Sequence, residues 1–293
     1  MIRPAHLPPL LRAVLLCLPT LLARCAPVDA LNATVPLDGL TVDRDVPYAP
    51  GPRGGMDIYR PTHATGPLPI VVFFYGGSWQ DGRRQDYKFV AADLARRGMV
   101  VAVPDYRLFP EVRFPSFLQD GARAVATVRR DATRWGGDPT RLILAGHSAG
   151  AWIAAMLALD PQWLHAAGDS RDHIAGMVGL AGPYDFLPIT GPDIKQIFAP
   201  ADADLSTTQP IDQVDGHNPP MLLLAGDDDT TVYPRNTLAL AARIRAAGGP
   251  VEAKTYPDLA HIGIVISLAP IFQFRAPVLD DMSRFILALP PRS

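Results

Sequence analysis

Ser148 lies at the centre of Gly146-His147-Ser148-Ala149-Gly150, directly after the apolar run Leu142-Ile143-Leu144-Ala145 and before a stretch, 151–157, with helical apolar spacing. A G-x-S-x-G turn between strand and helix is so sharp that its flanking positions accept little beyond glycine or alanine, and it lifts the serine oxygen away from the sheet. A hydroxyl presented in this way is set to attack a carbonyl carbon. Five-residue patterns recur by chance, so the apolar strand before the turn and the small residues after it matter as much as the motif.

Serine is a poor nucleophile at neutral pH and needs a histidine base within hydrogen-bond reach, itself oriented by an acid. On a sheet that presents a serine this way, acid and histidine follow in chain order on loops after later strands. The apolar segment 221–224 leads into Ala225-Gly226-Asp227-Asp228-Asp229-Thr230-Thr231-Val232, a loop with three carboxylates. Three neighbouring acids are costly to bury together, so one is expected to point inward and two to face water or cap a helix. Asp229, midway between Gly226 and Val232, is the preferred acid, with Asp228 the alternative. Of the histidines, His6 falls in the leader, His63 before the sheet, and His147 beside the serine rather than facing it. His165, His173 and His217 have no strand immediately before them. His261 follows the segment 251–255 through Tyr256-Pro257-Asp258-Leu259-Ala260, downstream of Asp229, and is the preferred base.

Attack on a carbonyl creates a negative oxygen that preorganised N–H donors must hold, each key donor contributing about 3–4 kcal/mol. The amide of Ala149 is one candidate. The others lie in Tyr75-Gly76-Gly77-Ser78-Trp79, directly after the apolar segment 70–74, where paired glycines let the chain turn its amides toward Ser148. Gly76, Gly77 and Ser78 are therefore assigned to the oxyanion loop, and Tyr75, Trp79 and Tyr184 to the surrounding substrate surface.

These groups need a scaffold. Segments 40–46 and 56–59, joined by Gly51-Pro52-Arg53-Gly54-Gly55, read as an antiparallel entry hairpin. From residue 69 onward strands and helices alternate: strands at 70–74, 99–103, 141–145, 174–180, 221–224 and 251–255, and helices at 87–97, 117–134, 151–159, 236–246 and 278–287. That alternation predicts an α/β fold with a mostly parallel sheet covered on both faces. The interval 183–220 has no clean period and is expected to form a small cap or long loop over the site.

The chain has 293 residues, 48% of them hydrophobic, and a formal net charge of −2. It can bury a full core, and no internal repeat or linker divides its body, so one domain is expected over 37–292. Lys88, Lys195 and Lys254 are the lysines, and the arginines are scattered rather than gathered into a stripe, which argues against a nucleic-acid partner. A small, largely uncharged molecule is expected instead.

Residues 1–25 read differently. Arg3 and Arg12 border the apolar run 13–23, too short for a comfortable membrane span of about 20 residues but suited to a signal peptide. Residues 26–36 are taken as a linker. Leu22-Ala23-Arg24-Cys25 is similar to a bacterial lipoprotein box, although Arg24 stands where a small residue belongs; lipidation of Cys25 would follow from that similarity. A plain signal peptide or an uncleaved anchor are the alternatives, all implying export to a periplasmic, secreted or membrane-attached location. Both cysteines, Cys17 and Cys25, lie in this segment, leaving the body without a thiol nucleophile or disulfide. Asn32-Ala33-Thr34 is a formal glycosylation sequon.

Taken together, Tyr75 to Trp79, Asp105-Tyr106-Arg107 with Pro110-Glu111, Phe114-Pro115 with Asp120, Gly136-Gly137-Asp138-Pro139, Gly146 to Gly150, Gly182-Pro183-Tyr184-Asp185, Gly226 with Asp229, and His261 make a pattern that resembles α/β-hydrolase esterases. The nearest resemblance is to the carboxylesterase, hormone-sensitive-lipase and kynurenine-formamidase group, including bacterial feruloyl-esterase-like proteins. It covers nearly the whole chain after the leader and implies ester hydrolysis through Ser148, His261 and Asp229, with no metal or organic cofactor. Tyr75 departs from the pattern, since these enzymes commonly carry histidine there. Asp105, Arg107 and Glu111 are read as structural ion pairs behind the glycine loop. The resemblance equally accommodates an aryl-formamidase or other amidase, and a fold alone would also permit a non-catalytic binding module.

Overall fold

Runs of mostly apolar residues set the architecture. In a computed structural model, which describes residues 26–292, they become the inner strands of one eight-stranded sheet. The leader and Cys25 lie outside the described residues. The strands are β1 (Leu40–Pro47), β2 (Gly55–Pro61), β3 (Leu68–Phe74), β4 (Val100–Pro104), β5 (Gly137–His147), β6 (Ile174–Leu180), β7 (Met221–Gly226) and β8 (Val251–Tyr256). Their order is β1-β2-β4-β3-β5-β6-β7-β8. β1 pairs antiparallel with β2, and β2 antiparallel with β4; every later pairing is parallel. β4, β6 and β7 are buried along their whole length, as a sheet covered on both faces requires. β8, at the edge, alternates between half-buried and exposed positions over most of its length.

The helices are α1 (Ala26–Ala33), α2 (Lys88–Arg96), α3 (Ser116–Arg130), α4 (Ala149–Leu159), α5 (Pro161–Ala166), α6 (Pro192–Phe198), α7 (Arg235–Ala246), α8 (His261–Ile266) and α9 (Val278–Ala288). α4 is apolar all round, and each of its residues is buried, which marks it as the central helix of the core. α3 stops four residues short of the expected end; a 3-10 turn, Ala132–Trp135, follows, closed by Gly136 in the left-handed region at φ 73°. Among the described residues no helix is long and apolar enough to cross a membrane.

The interval 26–36, expected as a linker, carries α1 and is tied to the body. The Asn32 side chain donates to the carbonyls of Gln85 (3.0 Å) and Asp86 (3.1 Å) and accepts the Phe89 amide (3.1 Å). Val35 is buried in the main core cluster.

From β3 the chain crosses to β4 on one side, and from β5 it crosses to β6 on the other. The carboxyl ends of β3 and β5, where Phe74 pairs with Gly146, therefore form a topological switch point, where a crevice opens in such sheets. The glycine loop leaves β3 there and Ser148 leaves β5 there.

Candidate active site

Ser148 occupies φ 55°, ψ −124°, a conformation that costs a non-glycine residue about 1–3 kcal/mol and persists only where surroundings enforce it. Its amide donates to the Leu180 carbonyl at the end of β6 (2.9 Å), and α4 starts at the next residue, two positions earlier than expected. Close approach explains the motif's glycines. A Cβ at Gly146 would lie 2.4 Å from the Gly150 carbonyl carbon, and one at Gly150 would lie 2.1 Å from the Phe74 carbonyl oxygen.

His261, the first residue of α8, accepts from the Ser148 hydroxyl at Nε2 (2.9 Å) and donates from Nδ1 to Asp229 Oδ2 (2.7 Å). Asp229 Oδ1 accepts the amides of Thr231 (2.9 Å) and Val232 (2.8 Å). Both carboxylate oxygens are thus engaged, and the side chain is buried, whereas Asp227 and Asp228 are exposed. The three residues named from sequence meet in one hydrogen-bonded chain able to pass a proton from Ser148 to His261.

The glycine loop makes a tight turn, with Gln80 and Asp81 both donating to the Gly77 carbonyl. Gly77, Ser78 and Trp79 have φ of 129°, 52° and 59°. Among the described residues the amides of Gly77, Ser78 and Ala149 have no protein acceptor, which leaves them available to a ligand. Gly76 is different from the sequence expectation: its amide donates to Tyr87 Oη (3.1 Å), so it is spent on the scaffold.

Two residues assigned to the substrate surface do not reach it. Tyr75 is fully buried, stacked on Tyr106 with centroids 4.6 Å apart; its hydroxyl donates to Asp105 Oδ1 (3.0 Å) and accepts from Arg53 (3.0 Å). Burial first, then neighbouring Tyr106 and Asp105, pushes its phenol far up, so it stays protonated. Strand β3 ends just before it and sends the side chain inward, away from the crevice. Tyr184 is also fully buried, its ring filling the space that the missing side chains of Gly179 and Gly182 leave. Asp105 and Arg107 each form an ion pair, as expected, with partners from other segments: Asp105 pairs with buried Arg84, which also binds Asp57 (2.9 Å), and Arg107 forks onto Asp120 (2.9 Å to each carboxylate oxygen).

Trp79 does line the crevice. Beside Ser148 lies a cavity of about 320 Å³ bounded by Ser78, Trp79, Ala149, Phe186, Ile189 and Ile194, with Thr190, Thr231 and Val232 on its rim and no charged side chain in its lining. Its outer wall comes from 183–220, which is a short helix, α6, and several 3-10 turns rather than a bare loop. Phe198 fastens this cap by packing edge-on against Trp79, centroids 4.9 Å apart, and Trp152 of α4 donates its indole N–H to the Thr208 carbonyl (2.8 Å).

His147 does more than flank the serine. Its ring lies 4.9 Å from that of His261, and it bonds to both Tyr87 Oη (3.3 Å) and the His261 carbonyl (3.1 Å). Burial, then the nearby His261, pushes the imidazole down to about 3, so it is neutral at ordinary pH. Burial raises Tyr87 to about 12. Neither link is visible in sequence, because the partners are 60 and 114 positions apart. Among the described residues no group of three or more His, Cys, Asp or Glu is placed to hold a metal ion.

The BD-FAE family model matches residues 56–244, more than half of the chain. The chain belongs to the BD-FAE family. This BD-FAE chain is 27% identical over 270 residues to an isoprenylcysteine alpha-carbonyl methylesterase of Arabidopsis thaliana, covering 84% of this chain and 62% of that protein. It is 29% identical over 222 residues to Esterase LipC of Mycobacterium tuberculosis (69% and 55% covered). Against a kynurenine formamidase of Danio rerio it is 32% identical over 145 residues (50% and 47% covered). The chain spans about half the length of the curated relatives it matches. Among solved structures it is similar to esterase B from Lactobacillus rhamnosis, with TM-score 0.78, 20% identity and coverage of 92% and 94%. A hyperthermophilic esterase from the archaeon Pyrobaculum calidifontis superposes with TM-score 0.75 at 22% identity, covering 98% of this chain and 100% of that one. The fold of this BD-FAE protein is the α/β-hydrolase fold.

Proposed function

We propose that the protein is a serine hydrolase that cleaves neutral carboxylic esters of small to medium size through an acyl-enzyme. The observation that carries this reading is His261, 2.9 Å from Ser148 Oγ and 2.7 Å from Asp229, with Ser148 itself lining an uncharged cavity. Ser148 Oγ attacks the ester carbonyl carbon while His261 Nε2 takes its proton. Asp229 holds the imidazole in the Nδ1–H tautomer and stabilises the imidazolium that forms. The tetrahedral oxyanion is held by the amides of Ala149, Gly77 and Ser78. His261 then gives its proton to the departing alkoxide, leaving the acyl group on Ser148. Water, deprotonated by His261, attacks the acyl carbonyl, and the acid departs as Ser148 regains its proton.

The relatives named as methylesterase and esterase support the ester; the kynurenine formamidase match keeps an amide reading in view. The cavity favours the ester, because an amino-acid substrate would bring two charges to a lining with no counter-charge. A non-catalytic binding module has no need of the complete hydrogen-bonded chain. We also propose export, on the strength of the apolar run 13–23 bordered by Arg3 and Arg12, with attachment to a membrane through that segment as one form of it.

Purified protein is expected to hydrolyse p-nitrophenyl acetate and butyrate and to lose nearly all turnover as Ser148→Ala. Unchanged turnover in that variant overturns the proposal. Side-by-side kinetics on N-formylkynurenine should favour the short ester; the reverse preference establishes the formamidase.

A further inference from the structure

Two loops that contribute opposite halves of the site hang on one buried imidazole. The His261 carbonyl can only accept, so His147 Nε2 carries the proton and donates to it (3.1 Å). His147 Nδ1 is then bare and accepts the Tyr87 hydroxyl (3.3 Å), which leaves the Tyr87 oxygen to accept the Gly76 amide (3.1 Å). The direction of every bond in this relay follows from that one carbonyl.

The relay joins three parts of the chain that carry the site. Gly76 begins the turn whose next two residues carry free amides, His147 adjoins Ser148, and the bonded carbonyl belongs to His261 itself. A Cβ at Gly76 would lie 3.0 Å from His147 Nδ1 and 3.1 Å from Ser148 Cβ, so the glycine loop rests directly on the elbow. Tyr87, which ends the 3-10 turn Arg84–Tyr87, is held from behind by Phe73 and Phe89, with ring centroids 5.7 and 6.0 Å away. Charge matters as well as geometry. His261 becomes an imidazolium during proton transfer, with the His147 ring 4.9 Å away, and a neutral neighbour there avoids opposing that charge.

We infer that His147, oriented by Tyr87, is a positioning residue for the acyl-transfer step: it fixes the backbone of His261 and the glycine loop to the nucleophile elbow, so that base, nucleophile and oxyanion donors keep a common register. The inference rests on the serine-hydrolase reading above. It predicts effects on kcat rather than KM, because neither side chain lines the substrate cavity.

The test compares Tyr87→Phe, His147→Leu and His147→Gln on p-nitrophenyl butyrate, with active sites counted by fluorophosphonate labelling and folding followed by thermal unfolding. A misplacement of about 1 Å costs up to about 10²-fold, so kcat per labelled site should fall about 30–100-fold in His147→Leu and about tenfold in Tyr87→Phe, with KM within about threefold of wild type. His147→Gln keeps an N–H near the Nε2 position and should recover most of the loss. Tyr87→Phe combined with His147→Leu should be no worse than His147→Leu alone, since both break one chain. Unchanged kcat per labelled site in Tyr87→Phe and His147→Leu overturns the inference. If His147→Leu does not fold, Tyr87→Phe, which removes a single oxygen, decides alone. Turnover that survives Ser148→Ala would instead sink the hydrolase reading; turnover that needs Ser148 but ignores Tyr87→Phe sinks only the relay.

Discussion

Asp229 gives one carboxylate oxygen to His261 Nδ1 at 2.7 Å and the other to the backbone amides of Thr231 and Val232. The acid is therefore fixed by its own loop before it orients the base. Replacing it with asparagine keeps the shape but can present an N–H where the histidine needs an acceptor, which favours the wrong tautomer. Asp229→Asn should lower kcat by about 10²–10⁴-fold with little change in KM. Exposed Asp228, whose amide donates to the Leu259 carbonyl, bonds through its backbone, so Asp228→Asn should stay within about twofold of wild type. Steady-state kinetics of the two variants decides between the neighbouring carboxylates; a larger loss in Asp228→Asn would reverse the assignment.

His147 should also leave a mark on acid stability. The folded imidazole is pushed down to about 3 by burial and by His261, from an ordinary value of 6.5. Below pH 6.5 the unfolded chain takes a proton at this site and the folded chain does not until about pH 3. The unfolded state thus holds more protons throughout that window, so stability falls as pH falls, by at most about 1.4 kcal/mol per pH unit from this group. His147→Gln has nothing to titrate. Urea unfolding midpoints converted to free energies between about pH 6 and pH 4 should show a shallower slope in the variant, by close to one proton. Parallel curves would mean that the imidazole is not held neutral.

How much of this could be read from residues alone depends on whether the cause was local. The inner strands announce themselves because a sheet covered on both faces needs unbroken apolar runs such as Ile70 to Phe74 and Met221 to Leu224. Ser148, Asp229 and His261 could be picked out because each follows a strand in a fixed chain order. The cap could not: α6 and its 3-10 turns have no period of their own and are held by Phe198 against Trp79 and by Trp152 on Thr208. Tyr75 adjoins the glycine loop in sequence and is expected at the substrate surface, yet its hydroxyl is claimed by Asp105, 30 positions away. The lack of any sequence signal likewise hides Gly76 bonding to Tyr87, 11 positions on, and Asn32 anchoring α1 on the turn before α2, 53 and 54 positions on.

The cavity wall sets a limit on chain length. Phe186, Ile189 and Ile194 close the space opposite Ser148, while Trp79 is wedged by Phe198 and Trp152 and has little freedom to move. Trimming the cap side should therefore lengthen the acyl chain accepted, and trimming Trp79 should disturb the oxyanion loop as well. Phe186→Ala or Ile194→Ala is expected to raise kcat/KM for p-nitrophenyl octanoate relative to butyrate by about tenfold, in line with about 1–3 kcal/mol per methylene accommodated. A panel of p-nitrophenyl esters from acetate to dodecanoate checks it, and an unshifted optimum would place the acyl chain elsewhere.

Gly150 tests how tightly the elbow is seated. A Cβ there would lie 2.1 Å from the Phe74 carbonyl oxygen and 2.4 Å from that of Tyr75, so both obstacles are backbone atoms at the end of β3. A flexible side chain could swing aside, but a carbonyl at the end of a central strand cannot move without dragging the glycine loop with it. Overpacking a core ordinarily costs about 1–3 kcal/mol. With two successive backbone carbonyls in the way, Gly150→Ala should lose at least about 3 kcal/mol or fail to accumulate as folded protein. Gly66 supplies the control: a Cβ there meets nothing within 4 Å, and its φ lies outside the left-handed region. Gly66→Ala should be neutral or stabilise by up to about 1 kcal/mol through the less flexible unfolded chain. Thermal and urea unfolding of the two variants separates a steric cause at the elbow from a general intolerance of glycine replacement; equal stability in both would mean that α4 can lift off β3, and that the motif's last glycine serves the turn rather than the contact.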